Sequence, residues 1–332
     1  MIALVTGGNG FVGRFIVEQL LARGDHVRVV GRGDYPELRA LGVETVRADL
    51  ATPESASALM RAMHGVTTVF HVAAKAGLWG RYDDFYQANV SATQRVVRAA
   101  IRAGVPKLVY TSTPSVVIGP ADLHGADEQT PYPARYLAPY PQTKAIAERY
   151  VLAQTDIATV ALRPHLIWGP RDPHILPRLL KRARRRLLFQ IGDGTNLVDV
   201  CYVENVATAH LLAADALGAR SVLRGKAYFI GQERPVNVWQ FIGEILAHAR
   251  CPPVRGRISA PTAYRLATLL EFVHATLRIP AEPPLTRLMV HELSHSHWFS
   301  HAAAARDFGY TPVVSIEEGL RRTFATAYNH KP

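Results

Sequence analysis

Cysteine is nearly absent: the 332 residues contain only Cys201 and Cys251, in no metal-type spacing. A disulfide framework is therefore not expected, and a reducing compartment is. Long apolar runs are missing as well, since no uninterrupted stretch approaches the ~20 residues needed to span a bilayer. The first apolar run breaks at Gly7 and has no basic leader, so no signal peptide is expected, and a cytoplasmic location is. Acidic side chains are outnumbered, 27 Asp and Glu against 38 Lys and Arg, leaving a formal net charge of +11. Such an excess suits an anionic cofactor, an anionic substrate or an acidic partner. Nucleic acid is not expected, because the densest basic run, Lys181-Arg182-Ala183-Arg184-Arg185-Arg186, has no interleaved aromatics and reads as the solvated end of a helix. What remains, 48% hydrophobic and 20% charged residues, is the makeup of a globular chain long enough for one large or two modest domains.

The order of the chain supplies the architecture. Residues 2–5 are wholly apolar, read as a buried parallel strand, and run into Thr6-Gly7-Gly8-Asn9-Gly10-Phe11-Val12-Gly13. An amphipathic helix over residues 11–23 follows and stops at Gly24. Glycines at 7, 10 and 13 allow a tight turn, close approach to a pyrophosphate and close helix packing, while the helix N-terminus attracts the phosphates. The second strand, residues 26–30, ends at Gly31-Arg32-Gly33 with no acid directly after it. An acid there suits the ribose of NAD and an Arg suits the 2′-phosphate of NADP, so NADP(H) is preferred. Asp34 keeps NAD(H) as the alternative.

Further strands are expected at Glu44–Arg47, 69–72 and 108–110, with a helix entered at Thr52-Pro53 and a long one over 82–103. Alternation at this rhythm implies an α/β protein with a parallel, doubly wound sheet, whose ligands sit beyond the carboxyl ends of the strands. The groups following those ends should then converge on one crevice. Tyr140 and Lys144 are one helical turn apart, just ahead of a helical run over 145–154, so their side chains share a face. An unperturbed phenol titrates at about 10, and a fixed cation beside it favours the phenolate and hence proton exchange.

These residues carry a resemblance. Thr-Gly-Gly-x-Gly-x-x-Gly, Asn89-Val90-x-x-Thr93, Tyr110-Thr111-Ser112-Thr113 and Tyr140-x-x-x-Lys144 together resemble the extended short-chain dehydrogenase/reductases, in the 3β-hydroxysteroid dehydrogenase-like branch. Arg163-Pro164-His165, Trp168-Gly169-Pro170-Arg171-Asp172-Pro173 and residues 191–199 are similar to the sterol 4α-carboxylate 3-dehydrogenases. Closer still, Ala73-Ala74-Lys75-Ala76-Gly77-Leu78-Trp79-Gly80 with residues 110–116 resembles the bacterial 2-alkyl-3-oxoalkanoate reductases of long-chain olefin biosynthesis. The resemblance runs from the first strand to about Leu217 and then weakens.

It implies a Rossmann domain over 1–165 and 198–232, and a smaller, mostly helical substrate domain over 166–197 and 233–332. By the same resemblance Tyr140 is the general acid/base, Lys144 lowers its pKa and holds the nicotinamide ribose, and Thr113 stands where the family has Ser. Thr113 can still donate to a substrate oxygen, while its methyl narrows the pocket. Asn89 is expected as a fourth polar member that anchors a water or backbone group near Lys144. A purely structural amide is the alternative. The cofactor set is Gly7, Asn9, Gly10, Phe11, Val12, Gly13 and Arg32, then Asp49, Leu50, Ala73 and Ala74, then Thr111, Tyr140, Lys144, Pro164 and His165. On the substrate side the expected residues are Lys75, Trp79 and Thr113, with Lys75 as cation for a carboxylate. An ordinary exposed Lys remains the other reading.

Both related families handle a lipid-like β-keto or β-hydroxy acid, one oxidising it before loss of CO2 and the other reducing it. Arg32 favours NADPH and reduction. A pyridine-nucleotide-binding regulator stays open as a non-enzymatic reading, as do a homodimer and an assembly with pathway enzymes. His291-Glu292-Leu293-Ser294-His295 matches the H-E-x-x-H pattern of zinc hydrolases, but lies far in sequence from the other groups, and no metal is expected. The helix over 262–278 is expected to pack in a core through Leu266, Leu269, Leu270 and Val273, with capping of the pocket or contact with a membrane surface as alternatives.

Overall fold

The computed structural model describes residues 1–328, so the last four residues of the expected substrate domain lie outside the described residues. The core is a seven-stranded sheet. Its strands are β1 (Ile2–Thr6), β2 (His26–Gly31), β3 (Glu44–Arg47), β4 (Thr68–His71), β5 (Lys107–Thr111), β6 (Ala158–Pro164) and β7 (Lys226–Ile230). They lie in the order β7-β6-β5-β4-β1-β2-β3, every pair parallel. A parallel sheet needs helices on both faces, which is why Ala3, Leu4 and Val5 read as an unbroken apolar run and are all fully buried. The order reverses at β1, between β4 and β2, and that switch point opens a crevice at the carboxyl ends of β1 and β4.

The main helices are α1 (Phe11–Ala22), α2 (Ala92–Arg102), α3 (Pro139–Leu152), α4 (Val203–Ala216), α5 (Ala260–Thr276) and α6 (Arg287–Ser294). Helix α1 buries Phe15, Ile16, Val17 and Leu20 and lies against α4, where Gln19 donates to the Glu204 carbonyl and Thr208. Strand β6 escapes the sequence reading, although all seven of its residues are buried.

Other expectations are corrected. The helix expected over 82–103 is α-helical at Tyr82–Phe85, π-helical at Tyr86–Ser91 and α-helical again in α2. Single π turns concentrate at functional sites, and this one carries Asn89. Helix α3 begins at Pro139 rather than 145, because proline is preorganised for the first helical position. Residues 197–202 form two short strands in different sheets, Leu197–Val198 and Cys201–Tyr202, broken at Asp199. The Asp199 carboxylate accepts from the Phe299 N–H at 2.8 Å and faces His301 at 3.1 Å, so the break ties this segment to the C-terminal part.

A second, four-stranded sheet joins Leu123–Ala126, His297–Phe299, Leu197–Val198 and Val236–Asn237. Helix α5 overturns its expected packing. Its buried face is Ala263, Ala267 and Glu271, whereas Leu266, Leu269 and Phe272 are exposed. Small residues let α5 approach α6, and the Glu271 carboxylate reaches Arg287 at its start. Among the described residues no helix is long and apolar enough to cross a membrane.

Candidate active site

The glycine-rich turn is shaped by sterics. Gly7 has φ +70°, and a Cβ there would lie 3.0 Å from the Ala73 backbone, so the turns after β1 and β4 touch. A Cβ on Gly13 would lie 2.2 Å from the Gly7 carbonyl oxygen, which fixes the start of α1 against the turn. Gly10 caps α1 without a side-chain hydrogen bond, leaving the first-turn N–H groups of Phe11 and Val12 to an outside acceptor. Asn9 is exposed beside them. At the edge of the crevice, Arg32, Arg47 and Asp49 line a hollow of about 490 Å³. The sequence reading takes Arg47 only as the end of a strand and not as a site residue, since it lies on the neighbouring strand. Asp34 is ion-paired with Arg39. Leu50 is buried and its carbonyl accepts from Arg95.

A buried chain of hydrogen bonds runs from this turn to α3. The Thr6 hydroxyl accepts from the N–H groups of Val72 and Ala73 and pairs with His71 Nδ1 at 2.7 Å. His71 Nε2 meets the Thr93 hydroxyl at 2.9 Å, and that hydroxyl donates to the Asn89 carbonyl. With the Thr93 proton so used, His71 Nε2–H is the donor and Nδ1 accepts from Thr6. Burial, with the Lys144 charge, pushes the His71 pKa down to about 3 and keeps the ring neutral. The Asn89 side chain accepts from the Lys75 N–H at 2.7 Å and donates to the Lys75 carbonyl and to the Thr143 hydroxyl, each at 3.1 Å. It thus fastens the loop holding Ala73 and Ala74 to the helix turn that carries Lys144. This makes Asn89 a positioning group with no direct bond to Lys144.

Tyr140 and Lys144 both lie in α3. Lys144 is 2% exposed, donates to the Thr111 carbonyl at 2.6 Å and sits 4.1 Å over the Tyr110 ring. Burial lowers its pKa to about 7 against the opposing pull of Glu148. The Tyr140 pKa is raised to about 12, chiefly by burial and also by the Glu292 charge, with the Thr113 hydroxyl acting in the other direction. Lys144, expected to lower it, is not among the groups that act on the phenol, which holds its proton at neutral pH. Thr113 ends the segment after β5, and its hydroxyl also meets Ser115, accepting from its N–H and lying 3.2 Å from its Oγ. Thr111 places its own hydroxyl on His210 at 2.7 Å. Below the site, Arg163 and Glu148 form a buried pair at 2.7 Å, joined by Tyr132, which locks α3 onto β6.

Pro164 closes β6 and pairs with Ile230. His165 is buried, its Nε2 2.7 Å from His297 Nδ1. His297 in turn reaches the Glu292 carbonyl. Lys75 lies 3.2 Å from Asp84 and over the Phe85 ring, and Trp79 meets His274 of α5 edge-on. Neither lines the large cavity. That cavity, about 640 Å³, is walled by Ser115 and Pro141, next to Thr113 and Tyr140, and by residues of α5 and α6 on the other side. Its lining is largely apolar, with Ile118, Pro120, Leu137, Leu288 and Val290, and α5 caps it through Ala260, Pro261, Tyr264 and Arg265.

Sequence reasoning missed this α6 wall. His291, Glu292 and His295 line the cavity, and the Glu292 charge reaches Tyr140, although 152 positions separate the two residues (292 − 140). The usable signal was polar groups crowded onto one face of a short apolar helix. Among the described residues no group of three or more His, Cys, Asp and Glu side chains is placed to share a metal ion.

Comparison with known proteins agrees with this geometry. Residues 4–252 match the model of the 3-beta hydroxysteroid dehydrogenase/isomerase family. The chain is 48% identical to a 2-alkyl-3-oxoalkanoate reductase of Stenotrophomonas maltophilia, over 98% of this chain and 99% of that one. It is 37% identical to the decarboxylating sterol-4-alpha-carboxylate 3-dehydrogenase of Mus musculus, over 96% of this chain and 89% of the relative. Among solved structures it superposes on gox2253 with a TM-score of 0.79 and 25% identity, over 99% and 98% of the two chains. MoeE5 in complex with UDP-glucose and NAD gives 0.73 and 27%, over 99% of each. With the family model matching most of its length and a 48% identical relative aligned nearly end to end, the chain belongs to the 3-beta hydroxysteroid dehydrogenase/isomerase family of extended short-chain dehydrogenase/reductases.

Proposed function

We propose that the protein reduces the keto group of a 2-alkyl-3-oxoalkanoate to the hydroxyl with NADPH. The observation that carries this reading is a protonated, partly buried phenol at Tyr140, beside the Thr113 hydroxyl and next to an apolar cavity. A general acid must hold its proton until the substrate oxygen gains charge, and Tyr140 with a pKa near 12 does so across the neutral range. The relatives named as 2-alkyl-3-oxoalkanoate reductases supply the substrate class.

The turn fits a nicotinamide dinucleotide. Gly7 and Gly13 leave no room for side chains where the backbone must approach a pyrophosphate, and the N–H groups that start α1 are free to bind it. Gly10, Asn9, Phe11 and Val12 complete that cradle, with Asp49, Leu50, Ala73 and Ala74 along the crevice. MoeE5 was solved with NAD, but the hollow at the end of β2 and β3 presents two cations, Arg32 and Arg47. Asp34, the group an NAD enzyme would use, is taken by Arg39. NADPH is accordingly the preferred donor.

Bound there, the cofactor supplies a hydride to the keto carbon. Tyr140 delivers a proton to the keto oxygen, so one hydride and one proton make the alcohol. Thr113 donates to the same oxygen and polarises it. Lys144 holds the ribose and recharges Tyr140, and Asn89 keeps the Lys75 loop and α3 in register. Residues 1–165 with 198–232 form the nucleotide-binding part in this reading, and 166–197 with 233–332 the substrate part.

The mouse relative favours a second reading, oxidation of a 4-carboxysterol. One assay separates them: absorbance of reduced nicotinamide followed with NADPH plus a 2-alkyl-3-oxoalkanoate, and in parallel with NAD plus a 4-carboxysterol. Loss of absorbance in the first alone is expected. Turnover only in the second would replace this function by the sterol one.

A further inference from the structure

A carboxylate entering this cavity needs a donor, and three side chains of the wall have none of their own partners. His291 of α6 is 5% exposed, and both its ring nitrogens lack a hydrogen-bond partner. The carbonyls of Gly119 and Pro120 are near enough to act on its ring but not aligned as acceptors. Its other face stacks on His295 at 4.2 Å. Arg135, on the segment leading into α3, and Arg265, on α5, line the same cavity from two further directions. Neither guanidinium has an ion-pair or hydrogen-bond partner among the described residues. A buried imidazole with nothing to bond costs the fold stability unless a ligand satisfies it, and two unpaired guanidinium groups at an apolar cavity attract an anion.

We propose that His291, Arg135 and Arg265 form the carboxylate subsite of the cavity, which therefore takes an amphiphile with one acidic head and apolar chains. The inference rests on the β-keto acid reading and refines it, moving the carboxylate from Lys75, already paired with Asp84, to the wall formed by α5, α6 and the segment before α3. Glu292 is the one acidic side chain in that wall. Burial raises its carboxyl to about 7, so below that pH it donates a proton rather than repelling the ligand. The apolar lining of Ile118, Leu137, Leu288 and Val290 accommodates the alkyl branches.

The test compares charged with neutral ligands. Arg135→Gln/Arg265→Gln and, separately, His291→Leu are assayed for KM with a 2-alkyl-3-oxoalkanoate and with its methyl ester. Each is also titrated calorimetrically with the unreactive saturated 2-alkyl acid and its primary alcohol. NADPH binding, retained in both variants, reports that they are folded. Loss of charge-assisted hydrogen bonds weakens the acids about ten- to hundredfold in each variant and leaves the ester and alcohol within about twofold. Equal weakening of charged and neutral ligands, or no weakening of the acids, overturns the subsite, as does a selective loss found only in a parallel Lys75→Ala variant. If the wild type binds the saturated acid through these groups yet never oxidises NADPH with the keto acid, the function fails and the subsite stands.

Discussion

Replacing Glu292 by Gln keeps the volume of the side chain and removes one titration. In the fold its pKa rises from 4.5 to about 7, with burial as the only cause. Below 4.5 the carboxyl is protonated in both folded and unfolded chains, and its effect on stability is fully retained. As pH rises the unfolded chain releases the proton first, so the folded state loses stability until the folded pKa is passed. At about 1.36 kcal/mol per unit, a shift of about 2.5 units corresponds to roughly 3 kcal/mol in all, of which roughly 2.5 kcal/mol falls between pH 5 and pH 8. Urea unfolding followed by tryptophan fluorescence at those two pH values measures it. The difference in stability, Glu292→Gln minus wild type, should move in favour of the variant by roughly 2.5 kcal/mol from pH 5 to pH 8. Taking the difference cancels the titrations of Lys144, His291 and His297, which are common to both proteins. A pH-independent difference would refute the desolvation of this carboxyl. A difference moving in favour of the wild type would show that the carboxylate, not the acid, is the stabilised form.

Two further outcomes follow from named contacts. Arg32→Ala/Arg47→Ala should lower the ratio of kcat/KM for NADPH over NADH by about ten- to hundredfold, because two cations are removed from the 2′-phosphate hollow. An unchanged ratio would transfer cofactor choice elsewhere. Arg163→Met leaves the fully buried Glu148 carboxylate with only the Tyr132 hydroxyl, and should destabilise the protein by about 3–5 kcal/mol in thermal or urea unfolding. A loss below about 1 kcal/mol would mean that the pair is not buried as described.

What could be read from the chain was local. The run Thr6 to Gly13 showed its turn because close approach demands glycine at particular positions, and the structure has the Gly13 Cβ position 2.2 Å from the Gly7 oxygen. Tyr140 and Lys144 were visible as a pair because helical spacing alone places them on one face. The unread features depend on partners distant in sequence. Nothing in His291-Glu292 tells that α6 folds back beside Tyr140, nor in Arg135 and Arg265 that both lack carboxylates. Leu266 and Leu269 suggested a core face, but α5 uses alanines for its close approach and leaves those leucines outside. The break at Asp199, between Leu197–Val198 and Cys201–Tyr202, is held by a carboxylate that Phe299 and His301 claim from a hundred residues away. The tuning of Tyr140 was likewise misjudged, since the cation one turn away is legible in sequence and the depth of burial is not.

The central claim is that the Tyr140 hydroxyl protonates the substrate, and the turnover of Tyr140→Phe with NADPH and a 2-alkyl-3-oxoalkanoate tests it most directly, with the dissociation constant for NADPH measured on the same preparation. Loss of a positioned general acid predicts a fall in kcat of about 10²–10⁴-fold while NADPH binds within about twofold of wild type. Turnover close to wild type, with the cofactor bound normally, would contradict the account.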